Sequence, residues 1–133
     1  MRVGVNSCTD ITGFGLMGHL RGMVRGSNVG ANVRLADVPV LPGTWDLLEK
    51  GTIPGGTFRN MSGVEDTVVW ANDLTEKQQL LMCDAQTSGG LLIAVPEAKL
   101  DKLMSELETS GVETRVVVGE ITAEDPCRIK VVS

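Results

Sequence analysis

Aromatic residues, histidine and long apolar runs are all scarce in this chain of 133 residues. It contains two phenylalanines, two tryptophans, no tyrosine and a single histidine. The four aromatic residues are scattered and are not interleaved with basic residues, so the sequence indicates no surface for stacking single-stranded bases. No stretch approaches the roughly 20 apolar residues that a transmembrane helix needs. We therefore expect no membrane span.

Basic residues are also fewer than acidic residues. The chain carries 12 Lys and Arg against 17 Asp and Glu, for a formal net charge of −5. Duplex nucleic acid is bound by concentrated basic surfaces, and the sequence has no basic run. We therefore expect no nucleic-acid partner.

Cysteine and histidine are too few for several kinds of site. Cys8, Cys83 and Cys127 lie far apart, and no C-x-x-C pair occurs. An odd number of isolated cysteines predicts neither a disulfide framework nor a zinc site, and it fits a reducing cytoplasm, which is the compartment we expect. The single histidine, His19, excludes a His-rich metal site, whereas a Cys-His pair stays open because the sequence gives no distances. We interpret it as a surface or packing histidine.

Glycine is unusually abundant. It accounts for 16 of the 133 residues, about 12%, against an average near 7%. The glycines cluster around residues 13–18, 51–56 and 89–90. Glycine permits positive φ and close approach of the backbone to a ligand. Two interpretations stay open, namely tight turns in a compact domain or a surface shaped around a ligand.

The spacing of apolar residues predicts alternating helices and strands. The first helix is expected to start near Phe14 with Thr12 as its N-cap, and another to have Thr75 as its N-cap. The strand at 91–95 has a continuous apolar run, which predicts burial on both faces. The predicted helices cover residues 14–26, 44–50, 75–82 and 96–110, with a helical turn at 58–63 after a loop at 51–57. The predicted strands cover residues 31–35, 91–95, 115–120 and 127–131, with a brief strand or coil at 68–70. The strand–helix–strand–strand order of the last 45 residues indicates an α+β domain.

One candidate site lies just ahead of the first helix. It combines the carboxylate of Asp10 with the hydroxyls of Thr9 and Thr12, next to Gly13. A helix N-terminus favours phosphate, and a single Asp there suits Mg²⁺, which takes one or two carboxylates plus water and phosphate oxygens. Helix capping by Asp and Thr is the alternative interpretation.

Two further segments carry candidate residues. In the first, Arg59 follows the Pro54-Gly55-Gly56 turn and could clamp an anion, with Asn60 orienting it. The alternative is a solvated arginine after a turn. The second segment, residues 84–90, contains Gln86, Thr87 and Ser88 ahead of a strand. Its alternative is a loop whose side chains bond its own backbone.

Taken together, these segments resemble a known family. The strings are TDITGFGLMGHL at residues 9–20, LPG at 41–43, PGGT at 54–57 with Arg59 and Asn60, and DAQTSGGLL at 84–92. They are similar to the C-terminal half of selenophosphate synthetase, also called selenide, water dikinase, in the superfamily of aminoimidazole ribonucleotide synthetase. Ala85 stands where that family usually has proline, which changes the stiffness of the loop.

The resemblance implies a fold and a reaction. The fold is α+β, with a mixed or antiparallel sheet packed with helices. The reaction converts ATP, selenide and water into selenophosphate, AMP and phosphate. Asp10 is implied as the Mg²⁺ ligand, and eight residues are the candidates to face phosphate or substrate: Thr9, Thr12, Gly13, Arg59, Asn60, Gln86, Thr87 and Ser88.

The resemblance also implies what this chain does not contain. The catalytic Cys or selenocysteine, its neighbouring Lys and the N-terminal ATP-binding domain of the family match no part of it. We therefore expect residues 1–133 to form a single partial domain that is inactive alone and associates as a homodimer. Two alternatives stay open: part of another ATP-using enzyme of the superfamily, and a stand-alone binding module without catalysis.

Overall fold

The computed structural model describes residues 3–87 and 89–133, which form a mixed α+β fold as predicted. The strands are β1 (Ser7–Asp10), β2 (Gly30–Arg34), β3 (Val68–Trp70), β4 (Leu91–Ala94), β5 (Gly119–Thr122) and β6 (Ile129–Val132). The helices are α1 (Gly15–Ser27), α2 (Thr44–Glu49), α3 (Gly55–Gly63), α4 (Glu76–Met82) and α5 (Leu100–Thr109). No helix among the described residues is long and apolar enough to cross a membrane.

The strands form two separate sheets. Four of them are ordered β3-β6-β2-β5, with β6 parallel to both β3 and β2 and with β5 antiparallel to β2. The other two, β1 and β4, pair only with each other and are antiparallel. The larger sheet is therefore mixed, and the smaller one is a ribbon that brings Asp10 opposite Leu91.

The core lies between the larger sheet and α1. On α1, Met17 and Val24 are fully buried and Leu20 nearly so, which confirms the apolar face predicted from their spacing. They belong to the same cluster as Val33 and Val131, which are paired across the parallel strands β2 and β6. Burial of such side chains contributes about 1.5–3 kcal/mol each, so α1 is held to the sheet along its length.

Two helix starts differ from the prediction. Thr12 does not cap α1, because the residue before the helix is Phe14, which provides no side-chain cap. The Thr12 hydroxyl lies instead against His19. Helix α3 starts at Gly55 and not at Phe58, since Pro54 is the extended residue before it, so residues 55–57 are its first turn. The predicted Thr75 cap is confirmed, with a reciprocal bond between Thr75 and Gln78.

Two predicted strands are also corrected. Strand β4 is not buried on both faces, since Leu91 is 64% exposed and the other three residues are half-buried. It belongs to the two-stranded ribbon and not to the larger sheet. The strand predicted at 115–120 is found at Gly119–Thr122 instead. Val116 and Val117 lie before it and are exposed. At Gly119 the backbone comes so close to Asn32 of β2 that a Cβ atom would overlap the Asn32 carbonyl oxygen, so this position of the pair requires glycine.

We expect Gly119→Ala to destabilise the fold. The added methyl group would overlap backbone and force β5 away from β2, at a cost of about 1–3 kcal/mol. Gly22→Ala is the matched control, because Gly22 is an exposed position of α1 and no other segment of the described chain lies within 4 Å of an added methyl group. It should raise the unfolding free energy by about 0.5–1 kcal/mol. Urea unfolding of both variants tests this, and an unchanged midpoint for Gly119→Ala would contradict it.

We expect the thiol of Cys83 to resist modification and ionisation in the folded chain. Burial raises the pKa of Cys83 to about 12, and the residue is fully buried, whereas Cys8 is exposed. Iodoacetamide at pH 8 should therefore alkylate Cys8 in the native state and Cys83 only in urea, as read by mass spectrometry. Equal labelling rates under native conditions would contradict the burial.

The same burial predicts a pH dependence of stability. Above about pH 9 the Cys83 thiol ionises in the unfolded chain but keeps its proton in the folded one until about pH 12. The stabilising contribution is therefore complete below pH 9 and is lost as the pH rises, by at most about 1.4 kcal/mol per pH unit. The Cys83→Ser variant should show a shallower decline over this range.

Candidate functional site

Three segments that are distant in sequence meet at one place. We call them the entry turn (residues 10–15), the α3 start (residues 54–60) and the polar loop (residues 83–90). The side-chain amide nitrogen of Asn60 donates to the carbonyl oxygen of Gly13 at 2.8 Å and to that of Cys83 at 3.0 Å. A single side chain of the α3 start thus binds the backbone of both other segments.

The polar loop also bonds directly to the entry turn. The Ile11 amide donates to the Gly90 carbonyl, and the Gly89 amide donates to the Ile11 carbonyl, both at 2.8 Å. These bonds continue the β1–β4 ladder beyond Asp10. The Gln86 amide then donates to the Thr12 carbonyl at 3.1 Å. The two loops are therefore bonded along their backbones as well as through Asn60.

Gly15 allows the closest approach between these segments. Its φ is +73°, and an added Cβ atom would lie 2.7 Å from the Cys83 carbonyl oxygen and 2.8 Å from that of Asp84. A side chain is thus excluded both by backbone conformation and by space. At this glycine, the open question from the sequence is answered in favour of packing, since its neighbour is the protein's own polar loop.

A buried threonine links the α3 start to the polar loop, and sequence reasoning missed it. Thr57 is 1% exposed. Its hydroxyl donates to a carboxylate oxygen of Asp84 at 3.2 Å and accepts from the Ala85 amide at 3.1 Å. Next to this pair lies an open cleft of about 300 Å³, which is otherwise largely apolar. The cleft is lined by Thr44, Leu47, Leu48, Thr52, Ile53, Pro54, Thr57, Leu80, Leu81 and Asp84.

Asp10 ends β1 with an exposed side chain. Among the described residues, its carboxylate takes part in no hydrogen bond or ion pair, so it is available to a cation or a solvent molecule. Those residues include no group of three His, Cys, Asp or Glu side chains that could hold a metal ion. A cation bound by Asp10 would therefore need water or phosphate oxygens to complete its shell.

The other predicted site residues occupy distinct positions. Arg59 is exposed, has no ion pair within residues 3–87 and 89–133, and its guanidinium lies beside Gly56. Among the described residues Asn60 makes no hydrogen bond to Arg59, and its amide group donates to the carbonyl oxygens of Gly13 and Cys83. Thr9 is half-buried, with its hydroxyl 3.4 Å from the Asp10 carbonyl.

The remaining candidates lie on the entry turn and the polar loop. Gly13 is exposed, with open space where a Cβ atom would stand. Gln86 is half-buried and Thr87 is exposed, whereas Ser88 lies outside the described residues. The structure thus brings Asp10, Gly13 and Asn60 onto connected segments and leaves Arg59 and Thr87 facing solvent.

His19 has a role that its isolated position in the sequence did not suggest. It is half-buried, and its Nε2 atom accepts a hydrogen bond from the Thr12 amide at 3.0 Å. The Thr12 hydroxyl lies 3.2 Å from the same nitrogen. The ring of Phe14 packs edge-on against the imidazole, with centroids 5.7 Å apart. His19 is therefore hydrogen-bonded to the entry turn, which ends one helical turn before it in the chain.

Several known proteins are similar in sequence to most of this chain. The chain is 42% identical to the selenide, water dikinase of Photobacterium profundum over 123 residues, which are 92% of this chain and 35% of that protein. It is 39% identical to the enzyme of the same name from Photorhabdus laumondii over 126 residues, and 41% identical to that of Pelobacter propionicus over 127. These alignments cover 95% and 96% of this chain, and 35% and 36% of the relatives.

The chain thus spans about a third of the length of these curated relatives. Their names confirm the resemblance to selenophosphate synthetases that the motifs carry. Residues 1–132 also match the family described as AIR synthase related protein, C-terminal domain. A match over nearly the whole sequence shows the family directly, and this chain belongs to it.

Proposed function

We propose that this chain is the metal- and phosphate-contacting C-terminal part of a selenophosphate synthetase. The whole enzyme would convert ATP, selenide and water into selenophosphate, AMP and phosphate. The observation that carries the proposal is the meeting of the entry turn, the α3 start and the polar loop through Asn60. These are the segments whose motifs resemble the family, and about 40% identity to selenide, water dikinases supports the same assignment.

Asp10 is the proposed Mg²⁺ ligand. Its carboxylate is exposed at the end of a strand and has no partner among the described residues, which suits a cation that keeps waters and binds through one or two carboxylates. Mg²⁺ bound there would neutralise charge on the phosphate oxygens of ATP. The Gly13 amide, which has no acceptor within the described chain, and the Arg59 guanidinium are the proposed donors to phosphate. The further proposed contacts to phosphate or substrate are Thr9, Thr12, Gln86, Thr87 and Ser88.

The nucleophile and most of the nucleotide site are proposed to come from elsewhere in the enzyme. The resemblance assigns the Cys or selenocysteine and its neighbouring Lys to a region that this sequence does not match. Cys8 does not replace them, because it lies in a different motif, two residues before Asp10. We therefore expect no selenophosphate from this chain alone. The three free thiols are in keeping with a cytoplasmic enzyme.

Phosphorus NMR of the reaction products tests the proposal. ATP, Mg²⁺ and selenide are incubated anaerobically with this chain alone, and with this chain joined to the N-terminal region of a relative. Selenophosphate and AMP from the joined protein only is the expected result. ATP consumption that does not depend on selenide would favour another ATP-using enzyme of the superfamily, and no turnover in either case would favour a non-catalytic module.

In the joined enzyme, we expect Asp10→Asn to lower selenide-dependent turnover at least about tenfold, which corresponds to about 1.4 kcal/mol. The amide keeps the shape of the side chain but removes the charge that attracts Mg²⁺. Raising the Mg²⁺ concentration should recover part of the loss. Asp101→Asn is the control, because it removes one exposed carboxylate on α5. Equal activity of the Asp10 and Asp101 variants would remove Asp10 from the metal shell.

We also propose that the chain self-associates. Several large apolar side chains are exposed, including Leu91 at the site and Val116, Ile121 and Val132 at or near strand ends. Apolar surface of this kind favours contacts between copies. Sedimentation equilibrium should give the mass of a dimer, and Leu91→Lys should weaken the association if the ribbon takes part. A monomer at all concentrations would contradict the proposal.

A further inference from the structure

We propose that His19 is a positioning residue that holds the entry turn, and with it Asp10, by accepting the Thr12 amide proton on Nε2. The imidazole does this as the neutral tautomer that carries its proton on Nδ1. The structural part of this inference stands on the contacts alone. Its consequence for catalysis rests on the proposed function of Asp10.

Other segments bind most backbone groups of residues 11–13, and His19 binds the Thr12 amide. Both backbone groups of Ile11 are bonded to the polar loop, and the Thr12 carbonyl accepts from Gln86 and from Gly15. The Gly13 carbonyl accepts from Asn60. The Thr12 amide is bonded to none of these neighbours, and its acceptor is the ring nitrogen of His19. Without this acceptor the half-buried amide would lose its hydrogen bond, which destabilises the turn.

The direction of this hydrogen bond fixes the tautomer. A backbone amide nitrogen can only donate, so Nε2 must carry a lone pair, and the ring proton resides on Nδ1. The Thr12 hydroxyl, 3.2 Å from Nε2, can donate to the same lone pair. An imidazolium ion has donors on both nitrogens and could not accept either bond.

Helix geometry explains why residue 19 reaches the turn. His19 lies four residues after Gly15, the first residue of α1. Helical side chains tilt back towards the N-terminus, so a side chain in the second turn covers the start of the helix. The edge-on contact with Phe14, with an interplanar angle of 63°, limits rotation of the ring. This bond therefore ties the entry turn to the second turn of α1.

The tautomer can be measured without any substitution. His19 is the chain's single histidine, so two-bond ¹H–¹⁵N spectra of the 133-residue chain at pH 8 report on it alone. We expect a pyridine-type Nε2 and a pyrrole-type Nδ1, and slow exchange of the Thr12 amide hydrogen. A proton on Nε2, or a Thr12 amide that exchanges as fast as an exposed one, would overturn the proposal.

Three substitutions in the joined enzyme test the effect on the site. Gln at position 19 can place an acceptor where Nε2 stands, Asn can place one only near Nδ1, and Leu provides none. We expect His19→Asn and His19→Leu to raise the KM for Mg²⁺-ATP about tenfold, with a smaller effect on kcat. His19→Gln should stay within about threefold of the unmodified enzyme. Similar losses for all three variants would contradict positioning through Nε2.

The outcomes separate this proposal from the proposed function. If the tautomer and the Gln rescue are found but Asp10→Asn leaves turnover intact, His19 positions the turn and the role of Asp10 is wrong. If Asp10→Asn abolishes turnover and the three His19 variants behave alike, the metal site stands and the positioning role fails.

Discussion

The Asn60 side-chain amide is the contact on which the candidate site depends. Its two protons reach carbonyl oxygens of the entry turn and the polar loop, which are about 70 residues apart in the chain. Each hydrogen bond contributes only about 0.5–1.5 kcal/mol. Together they join the backbones of the entry turn and the polar loop through one side chain of α3. Asn60 therefore ties the entry turn to the α3 start, while strand pairing with Leu91 places Asp10 in the ribbon.

Close approach of the backbone supports this arrangement. Gly15 brings the start of α1 against the carbonyl oxygens of Cys83 and Asp84, and Thr57 bonds to the next residues of the same loop. Buried Cys83 places the beginning of that loop in the core. The loop is thus tied at Cys83, Asp84 and Ala85, whereas the Asp10 carboxylate and the Arg59 guanidinium stay exposed. Backbone held by several contacts, with charged side chains exposed beside it, suits a site for a charged ligand.

Much of the secondary structure could be predicted because apolar spacing and capping are local properties. The buried face of α1 followed from Met17, Leu20 and Val24, and the start of α4 followed from Thr75. The prediction failed for two strands, because the bounds and burial of a strand depend on segments that are distant in sequence. The apolar run of β4 suggested burial on both faces, but β4 lies in a two-stranded ribbon. Val116 and Val117 have strand propensity but precede β5 and pair with no strand of the described chain. The start of α3 was missed because two glycines disfavour a helix locally, although Pro54 precedes it in the extended conformation that suits a helix start.

By itself, the sequence determined the α+β class, the family resemblance and the three segments that carry it, because motifs and apolar periodicity are written in consecutive residues. Only the tertiary structure determined which of those residues contact one another. Asn60 was expected to orient Arg59 and instead joins two loops. His19 was expected to be a surface or packing histidine, and it also accepts a hydrogen bond from the Thr12 amide. Hydrogen bonds between distant segments depend on distance and direction in space, and these are set by packing of α1, α3 and the β1–β4 ribbon around the core.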